Sequence, residues 1–322
     1  MSLRIPQLKY LDKATNLNET FDFNCNETGQ IENDPLRLIG KRICEKFQIV
    51  DYLDSGGMSH IYFIKDKRGS DFALKILKRT MININSLRRF QNEIEIMSLF
   101  KDNPNIVNVK EFGTFDGNPF IIMEYADGGY LYKRQKDNSL LFLDALKFIA
   151  GACNGLIALH SKGFVHRDIK PHNILIVKNV GKLGDFGLSK ESNKDKTQTY
   201  GNLINGTINY ISPEQIDPQN LGINWYSDVY SLGATLFHVL TGRPPFSGSV
   251  YQIIRQHVEY NSPNPQSINP NIPDSLNQII LKAMSKNPEE RPSVIEVHNC
   301  ILEELCKRKL SYLKLPELVE QI

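Results

Sequence analysis

Residues 166–187 read HRDIKPHNILIVKNVGKLGDFG, and this stretch decides how the rest of the sequence is interpreted. A carboxylate, a lysine and an amide follow one another at Asp168, Lys170 and Asn173, and a second carboxylate, Asp185, comes twelve residues after Asn173. Carboxylate and amide oxygens suit Mg²⁺, which in turn binds phosphate oxygens. The stretch therefore predicts a site that holds Mg²⁺ and nucleotide phosphates while a hydroxyl attacks.

The joined pattern HRDIKPHN, eleven residues and DFG resembles the protein kinase superfamily, and within it the Ser/Thr branch. Either tripeptide alone arises by chance, whereas the joined pattern is far more specific. The likeness covers roughly residues 47–305, and the strings GGMSHIY, YISPEQ and TGRPPF are most similar to compact bacterial Ser/Thr kinases. The resemblance implies an α+β, two-lobed fold with a small five-stranded β lobe that carries one main helix, and a larger, mostly helical lobe.

Three classes of function stay open at this point. The resemblance favours a Ser/Thr protein kinase that transfers the γ-phosphoryl group of Mg·ATP to protein Ser and Thr hydroxyls. The alternative is a catalytically weak pseudokinase scaffold that binds nucleotide. A small-molecule phosphotransferase is the third class.

Composition is that of a globular chain of ordinary charge. Of its 322 residues 41% are hydrophobic, and the net charge of +2 gives no general argument for nucleic acid or membrane binding. The five cysteines show no CxxC pair and indicate free thiols in a reducing compartment. We expect no apolar stretch that approaches the roughly 20 residues needed to cross a bilayer, and no signal peptide. These features predict a cytoplasmic protein.

The first part of the chain predicts a small β-rich lobe. Residues 1–40 are rich in Asn, Asp, Glu and Thr, which is typical of a flexible or partner-dependent extension. Within residues 41–126, short apolar runs that begin at Phe47 predict five strands. Residues 86–100 carry apolar side chains at three- and four-residue spacing and predict an amphipathic helix.

The second part predicts a larger helical lobe, residues 127–305. Residues 140–160 carry a long apolar stripe, and residues 225–240 are apolar nearly all round, as in a buried central helix. Residues 306–322 are predicted to form a C-terminal helical tail.

By resemblance, the catalytic roles fall on the opening stretch. Asp168 would accept or orient the proton of the substrate hydroxyl, and Lys170 would neutralise the transferring phosphoryl group. Asn173 and Asp185 would bind Mg²⁺. The implied cofactors are ATP and Mg²⁺, for which Mn²⁺ could substitute.

A hairpin at residues 53–60, LDSGGMSH, corresponds to the glycine-rich loop with which kinases cover the phosphates of ATP. Gly56 and Gly57 would let backbone N–H groups approach the phosphates. Asp54 stands where the family has its first glycine, and Ser59 where it has its third. The negative charge of Asp54 could weaken nucleotide binding or cap the loop.

Lys75, in the run FALK, matches the strand lysine that holds the α- and β-phosphates. Glu93 is expected to pair with it; Glu95 is the competing candidate, and Met97, one turn beyond Glu93, favours Glu93. The other nucleotide contacts that the resemblance implies are Leu53, Ile61, Ala73, the gatekeeper Met123, backbone groups of Glu124 and Ala126, and Leu175.

The polar segment after the DFG motif contains Thr197 and Thr199, which are candidate sites of activating autophosphorylation. In related kinases the positions of Arg167 and Lys190 supply cations for such a phosphate. The alternative is that both threonines are ordinary loop residues.

The resemblance also implies a structural set. Thr207 would bridge to the catalytic loop, Asp228 would hold the backbone of that loop, and Arg291 would form a buried pair with Glu214. These residues favour a protein kinase over a small-molecule phosphotransferase. As partners we expect protein substrates, without nucleic acid or membrane. Three routes for a regulatory signal stay open: the N-terminal extension, a partner, or a homodimer formed through the small lobe.

Overall fold

The computed structural model describes residues 34–191, 207–217 and 222–314. The predictions that lie outside what it describes concern residues 1–33, Thr197, Thr199, the side chain of Thr207 and residues 315–322. The described chain forms two compact units.

The first unit holds the described parts of Met1–Lys101 and Asn108–Tyr125, and the second those of Asp102–Val107 and Ala126–Ile322. Residues 102–107 thus lie in the second unit, although the sequence-based boundaries put them in the small lobe. Hydrogen bonds give the reason. The Val107 N–H donates to the Leu183 carbonyl at 2.8 Å, and the Leu183 N–H donates to the Asn105 carbonyl at 2.8 Å.

The first unit is built on a six-stranded antiparallel sheet. Its strands are β1 (Arg42–Ile43), β2 (Phe47–Ser55), β3 (Ser59–Asp66), β4 (Asp71–Leu77), β5 (Val109–Phe115) and β6 (Asn118–Glu124). Their order in the sheet is β1-β2-β3-β4-β6-β5. The predicted α+β class is confirmed, but the count of five strands is corrected to six. β1 is two residues long, too short for an alternating pattern to reveal it.

The segment just before β1 packs on this sheet. Leu38 is only 4% exposed and belongs to the same apolar cluster as Tyr62. The Tyr62 hydroxyl donates a hydrogen bond to Asp34 Oδ1 at 2.9 Å. The expected flexible or partner-dependent extension therefore does not include residues 34–40, because these side chains help to close the core of the first unit.

The main helix of the first unit, α1 (Ile84–Leu99), confirms the predicted amphipathic helix. It begins after Asn83, whose side chain accepts hydrogen bonds from the N–H groups of Asn85 and Ser86, both at 3.0 Å. This cap satisfies backbone donors that the first turn leaves without partners. The buried face carries Ser86, Phe90, Glu93, Ile94, Ile96 and Met97.

The second unit is mostly helical. Its helices are α2 (Leu131–Lys136), α3 (Phe142–Ser161), α4 (Pro213–Ile216), α5 (Trp225–Thr241), α6 (Val250–Glu259), α7 (Asp274–Ala283) and α8 (Val294–Lys314). Its strands are β7 (Phe164–Val165), β8 (Ile174–Val177), β9 (Val180–Leu183) and β10 (Lys190–Glu191), paired as β8 with β9 and β7 with β10. Helix α5 is buried along nearly its whole length, as its uniformly apolar sequence predicted.

Helix α3 corrects the expectation that no apolar stretch is long enough for a bilayer. Among the described residues it is the one helix whose length and hydropathy would allow it to span a membrane. Because 61% of its apolar window is buried inside the second unit, its hydropathy is accounted for by core packing.

Glycines allow α3 to lie directly against β9. A Cβ at Gly181 would clash with the carbonyl oxygen of Phe148, and a Cβ at Gly151 would clash with the carbonyl oxygen of Gly181. The Asn105 side chain adds a hydrogen bond to the Gly181 carbonyl at 3.1 Å. This contact fixes β9, and with it the chain that leads to Asp185.

Two buried tyrosine–histidine pairs tie the helices of the second unit together. The Tyr210 hydroxyl lies 2.6 Å from His238 Nδ1, and the Tyr230 hydroxyl lies 3.0 Å from His257 Nδ1. Burial lowers the pKa of His238 to about 4 and that of His257 to about 3. Both imidazoles are therefore neutral in the folded protein near neutral pH.

These two histidines should make the second unit sensitive to acid. In an unfolded chain a histidine titrates near pH ~6.5, so below that pH the unfolded state binds more protons than the folded state. Stability is then full above pH ~6.5 and falls as the pH falls, by up to about 1.4 kcal/mol per pH unit for each histidine. Urea unfolding between pH ~6.5 and ~4.5, followed by fluorescence of Trp225, the only tryptophan of the sequence, measures this slope.

A His257→Gln variant should lose part of the slope, because glutamine does not titrate. A His298→Gln variant is the matched control, since His298 is not fully buried and should contribute less. An unchanged slope in His257→Gln would contradict the assignment.

Candidate active site

One buried carboxylate holds the backbone just before Asp168. Asp228, on α5, is 0% exposed. Its two oxygens accept the N–H groups of His166 at 2.8 Å and Arg167 at 2.7 Å. His160 Nε2 lies 2.8 Å from the same carboxylate. Burial by itself raises the pKa of Asp228, but the hydrogen bond from His160 and the other favourable contacts outweigh it and hold the pKa below its ordinary value.

This anchor holds a strained backbone. Arg167 has φ of 69°, in the left-handed region that non-glycine residues rarely adopt. The Arg167 carbonyl also accepts a hydrogen bond from Gln215 Nε2 at 2.9 Å. Contacts on both sides of the residue thus fix the conformation that presents Asp168.

Asp168 is buried, with 7% exposure. Its Oδ2 accepts hydrogen bonds from Lys170 Nζ at 2.8 Å and Asn173 Nδ2 at 2.9 Å. Its Oδ1 is buried and has no hydrogen-bond partner among the described residues. A fixed carboxylate with one oxygen left to accept a hydrogen bond is what a residue needs to orient a substrate hydroxyl.

The β8–β9 hairpin brings the two predicted metal ligands to neighbouring positions. It pairs Ile174 with Leu183, and the next ladder bond runs from the Gly184 N–H to the Asn173 carbonyl at 3.0 Å. Asp185 follows directly, exposed and with φ of 59°.

These two residues fit Mg²⁺. The amide nitrogen of Asn173 donates to Asp168, so its oxygen is the atom left for a cation. Mg²⁺ commonly takes one or two protein oxygen ligands and completes its shell with water and substrate phosphates. No group of three or more His, Cys, Asp or Glu residues that could hold a metal occurs in the described part of the chain.

In the first unit, Lys75 and Glu93 form the predicted ion pair. Lys75 Nζ lies 2.7 Å from both carboxylate oxygens of Glu93, and the two side chains are 14% and 4% exposed. Glu95 is exposed and accepts a hydrogen bond from Gln91 instead. The choice between the two glutamates is thus resolved in favour of Glu93, because only Glu93 lies on the buried face of α1.

The predicted glycine hairpin joins β2 to β3. Asp54 pairs with Ile61 across it, and the ladder shifts register between Tyr52 and Asp54. Asp54 Oδ1 accepts the N–H of Ser55 at 2.7 Å. A Cβ at Gly56 would meet only the Ser59 carbonyl oxygen, at an ordinary contact distance of 3.7 Å, so the fold would tolerate a side chain there.

Some of the residues predicted to contact the nucleotide belong to the first unit and the others to the second. In the first unit, Ala73 and Met123 face each other on β4 and β6 and are 6% and 9% exposed, while Leu53 is 41% exposed. Glu124 N–H donates to the Asn108 carbonyl at 3.0 Å. The remaining members are Ile61, half-buried on β3, and, in the second unit, Ala126 and Leu175, both half-buried.

The predicted structural pair is also present. Arg291 donates two parallel hydrogen bonds to Glu214, at 2.6 and 2.9 Å, with side chains 0% and 6% exposed. Burial by itself raises the pKa of Glu214, but the hydrogen bond from Arg291 outweighs it and the pKa lies below its ordinary value. Arg291 also donates to the Tyr226 carbonyl at 2.9 Å.

Sequence reasoning missed the supporting residues of the site. His160 and Gln215 lie 68 and 48 residues from the partners that they bond. His160 belongs to no short motif, and the string YISPEQ that ends at Gln215 gives no sign of the contact between Gln215 and Arg167.

The family model described as protein kinase domain matches residues 47–302. "Serine/threonine-protein kinase PrkC" of Bacillus subtilis is 37% identical over 265 residues, which are 80% of this chain and 40% of that protein. "Serine/threonine-protein kinase PknB" of Mycobacterium tuberculosis is 34% identical over 277 residues, 80% of this chain and 44% of that protein. The chain thus spans less than half the length of these relatives.

The buried pair gives a stability test. Arg291→Met would leave the Glu214 carboxylate buried without its partner, which costs about 3–5 kcal/mol of unfolding free energy. The matched control is Arg255→Met, since Arg255 pairs with Glu259 at the surface, where the side chains are 53% and 50% exposed. Urea unfolding followed by Trp225 fluorescence should show a large loss for the first variant and a nearly unchanged midpoint for the control. Equal losses would show that the buried pair is not a main support of the second unit.

Proposed function

The chain belongs to the protein kinase domain family, and on this premise we propose that it transfers the γ-phosphoryl group of Mg·ATP to Ser and Thr hydroxyls of proteins. The observation that carries the proposal is the Asp168 carboxylate. One of its oxygens is fixed by Lys170 and Asn173, and the other has no partner among the described residues. The names of the two relatives, both serine/threonine-protein kinases, support the same activity.

Charge and donor chemistry assign the nucleotide and metal contacts. Lys75, held by Glu93, would bind phosphate oxygens, and Asn173 and Asp185 would hold Mg²⁺. When bound, Mg²⁺ neutralises charge on the phosphates. The protein's own part is to place these groups before the reaction, which is the main source of catalysis in phosphoryl transfer.

The reaction step uses Asp168 and Lys170. Asp168 Oδ1 accepts the hydrogen bond of the substrate hydroxyl and takes its proton as the hydroxyl oxygen bonds to the γ-phosphorus. The bond from that phosphorus to the bridging oxygen breaks, and ADP leaves with the electron pair. Lys170, 2.8 Å from Asp168 Oδ2, neutralises charge on the phosphoryl group in transit.

A nucleotide-binding pseudokinase is the second candidate, and Asp54 is the observation that favours it. Its carboxylate lies in the hairpin expected to cover phosphates and would repel them. The reaction product distinguishes the two functions, because a scaffold would bind Mg·ATP without forming phosphoprotein.

We propose further that the protein works in the cytoplasm and acts on protein substrates, with a homodimer through the first unit as its oligomeric state. The described cysteines Cys44, Cys153, Cys300 and Cys306 are free thiols, which supports a reducing compartment. Cell fractionation tests the location. A sedimentation velocity run that gives only monomer at working concentrations would refute the dimer.

Asp168→Asn should lower kcat by about 100- to 10,000-fold, because the amide cannot take the proton. Binding of Mg·ATP, followed by calorimetry, should persist. The matched control is Asp71→Asn, since Asp71 pairs with Lys65 at the surface and should leave transfer of labelled phosphate unchanged. If the wild-type protein transferred phosphate no faster than the Asp168→Asn variant, the result would support the pseudokinase.

Regulation by autophosphorylation at Thr197 or Thr199 has its own test. A Thr197→Ala/Thr199→Ala double variant should lose most of the activity of the wild type, because the loop would lack the phosphate that Arg167 and Lys190 are proposed to bind. Mass spectrometry before and after incubation with Mg·ATP reports the modification. Full activity in the double variant would contradict this mechanism.

A further inference from the structure

One lysine outside the predicted site contacts the glycine hairpin. Lys78, the residue after β4, donates from Nζ to the Gly56 carbonyl at 2.6 Å. Its own N–H donates to the Met58 carbonyl at 2.9 Å. Lys78 therefore holds the hairpin at two points, one on each side of Gly57.

The direction of Lys78 separates it from Lys75. Side chains alternate along a strand, and Leu74 and Ile76 belong to the apolar cluster that contains Leu38, whereas Lys75 pairs with Glu93 of α1. By the same alternation the side chain of Lys78 lies on the face of the sheet that carries Leu74 and Ile76. Lys78 is thus not a second copy of the phosphate-holding lysine.

The geometry of the peptide group gives Lys78 a way to act on a ligand that it does not touch. In a planar trans peptide the C=O and the following N–H point in opposite directions. With the Gly56 carbonyl held by the Lys78 ammonium, the N–H of Gly57 is directed to the other side of the hairpin. A charged donor on the carbonyl also polarises the peptide and strengthens its N–H as a donor.

Neither backbone strain nor crowding accounts for the glycine at position 56. Gly56 has neither a positive φ nor a crowded Cβ position, since an added Cβ would meet only the Ser59 carbonyl oxygen at 3.7 Å. Folding of the hairpin therefore does not demand glycine there. The neighbouring Ser55 N–H is already held by Asp54 Oδ1 at 2.7 Å, so side chains fix two successive parts of the turn.

We propose that Lys78 is a positioning residue for the phosphates of ATP: it orients the Gly56–Gly57 peptide so that the Gly57 N–H is preset to donate to a phosphate oxygen. The inference rests on the proposed function of the same site. It explains how a hairpin with Asp54 in place of glycine still binds phosphate. Preset donors reduce the ordering that binding otherwise requires.

The experiment compares Lys78→Met with the wild type by calorimetry, using Mg·ATP and adenosine as the two ligands. Loss of a charged hydrogen bond at an exposed position should weaken Mg·ATP binding about three- to tenfold. Adenosine, which has no phosphate, should bind as before. KM for ATP should rise by the same factor, while kcat at saturating ATP stays close to that of the wild type.

Two further variants complete the design. Lys78→Arg should restore most of the affinity, because a guanidinium can donate to the same carbonyl. Lys67→Met is the matched control, since it removes the same charge from an exposed turn of the first unit and should change neither affinity.

The outcomes are distinct. Unchanged Mg·ATP binding in Lys78→Met would overturn the inference, and so would an equal loss for adenosine, which would mean general damage to the first unit. A wild type that binds no Mg·ATP would instead refute the proposed function.

Discussion

Two adjacent backbone N–H groups, those of His166 and Arg167, converge on one carboxylate, that of Asp228, inside the second unit. The arrangement holds Arg167 at φ of 69°, a conformation that costs roughly 1–3 kcal/mol and persists only where the surroundings impose it. The next residue is Asp168, whose direction follows from this backbone. Removal of the Asp228 carboxylate would therefore displace the carboxylate of Asp168, the proposed catalytic group, although the two do not contact each other. The site depends on a buried charge that takes no part in the chemistry.

The same design recurs in the first unit. Lys75 is fixed by Glu93 on both carboxylate oxygens, and the glycine hairpin is held by Lys78. In each case an ionic side chain holds another group in place before any substrate binds. The proposed phosphoryl transfer would depend on this arrangement, because in such reactions a protein supplies position and charge and does little covalent chemistry itself.

Most of the site could be predicted from the sequence because its residues stand close together in the chain. Asp168, Lys170 and Asn173 share one loop, and the structure adds that Lys170 and Asn173 both donate hydrogen bonds to the Asp168 carboxylate. The fold class followed from the same motif. The sequence does not reveal contacts between distant segments. Lys78 and Gly56 are 22 residues apart, and Tyr62 and Asp34 are 28 residues apart. Neither pair belongs to a recognisable pattern, and a two-residue strand such as β1 has no periodicity to detect.

Phosphoryl transfer to defined acceptors tests the central claim most directly. The purified protein is incubated with Mg·ATP and three peptide libraries that are identical except for a fixed Ser, Thr or Tyr acceptor, and products are measured by mass spectrometry. The account predicts phosphorylated Ser and Thr libraries and an unmodified Tyr library. Binding of Mg·ATP with no phosphopeptide and no autophosphorylation, or modification of the Tyr library alone, would contradict it.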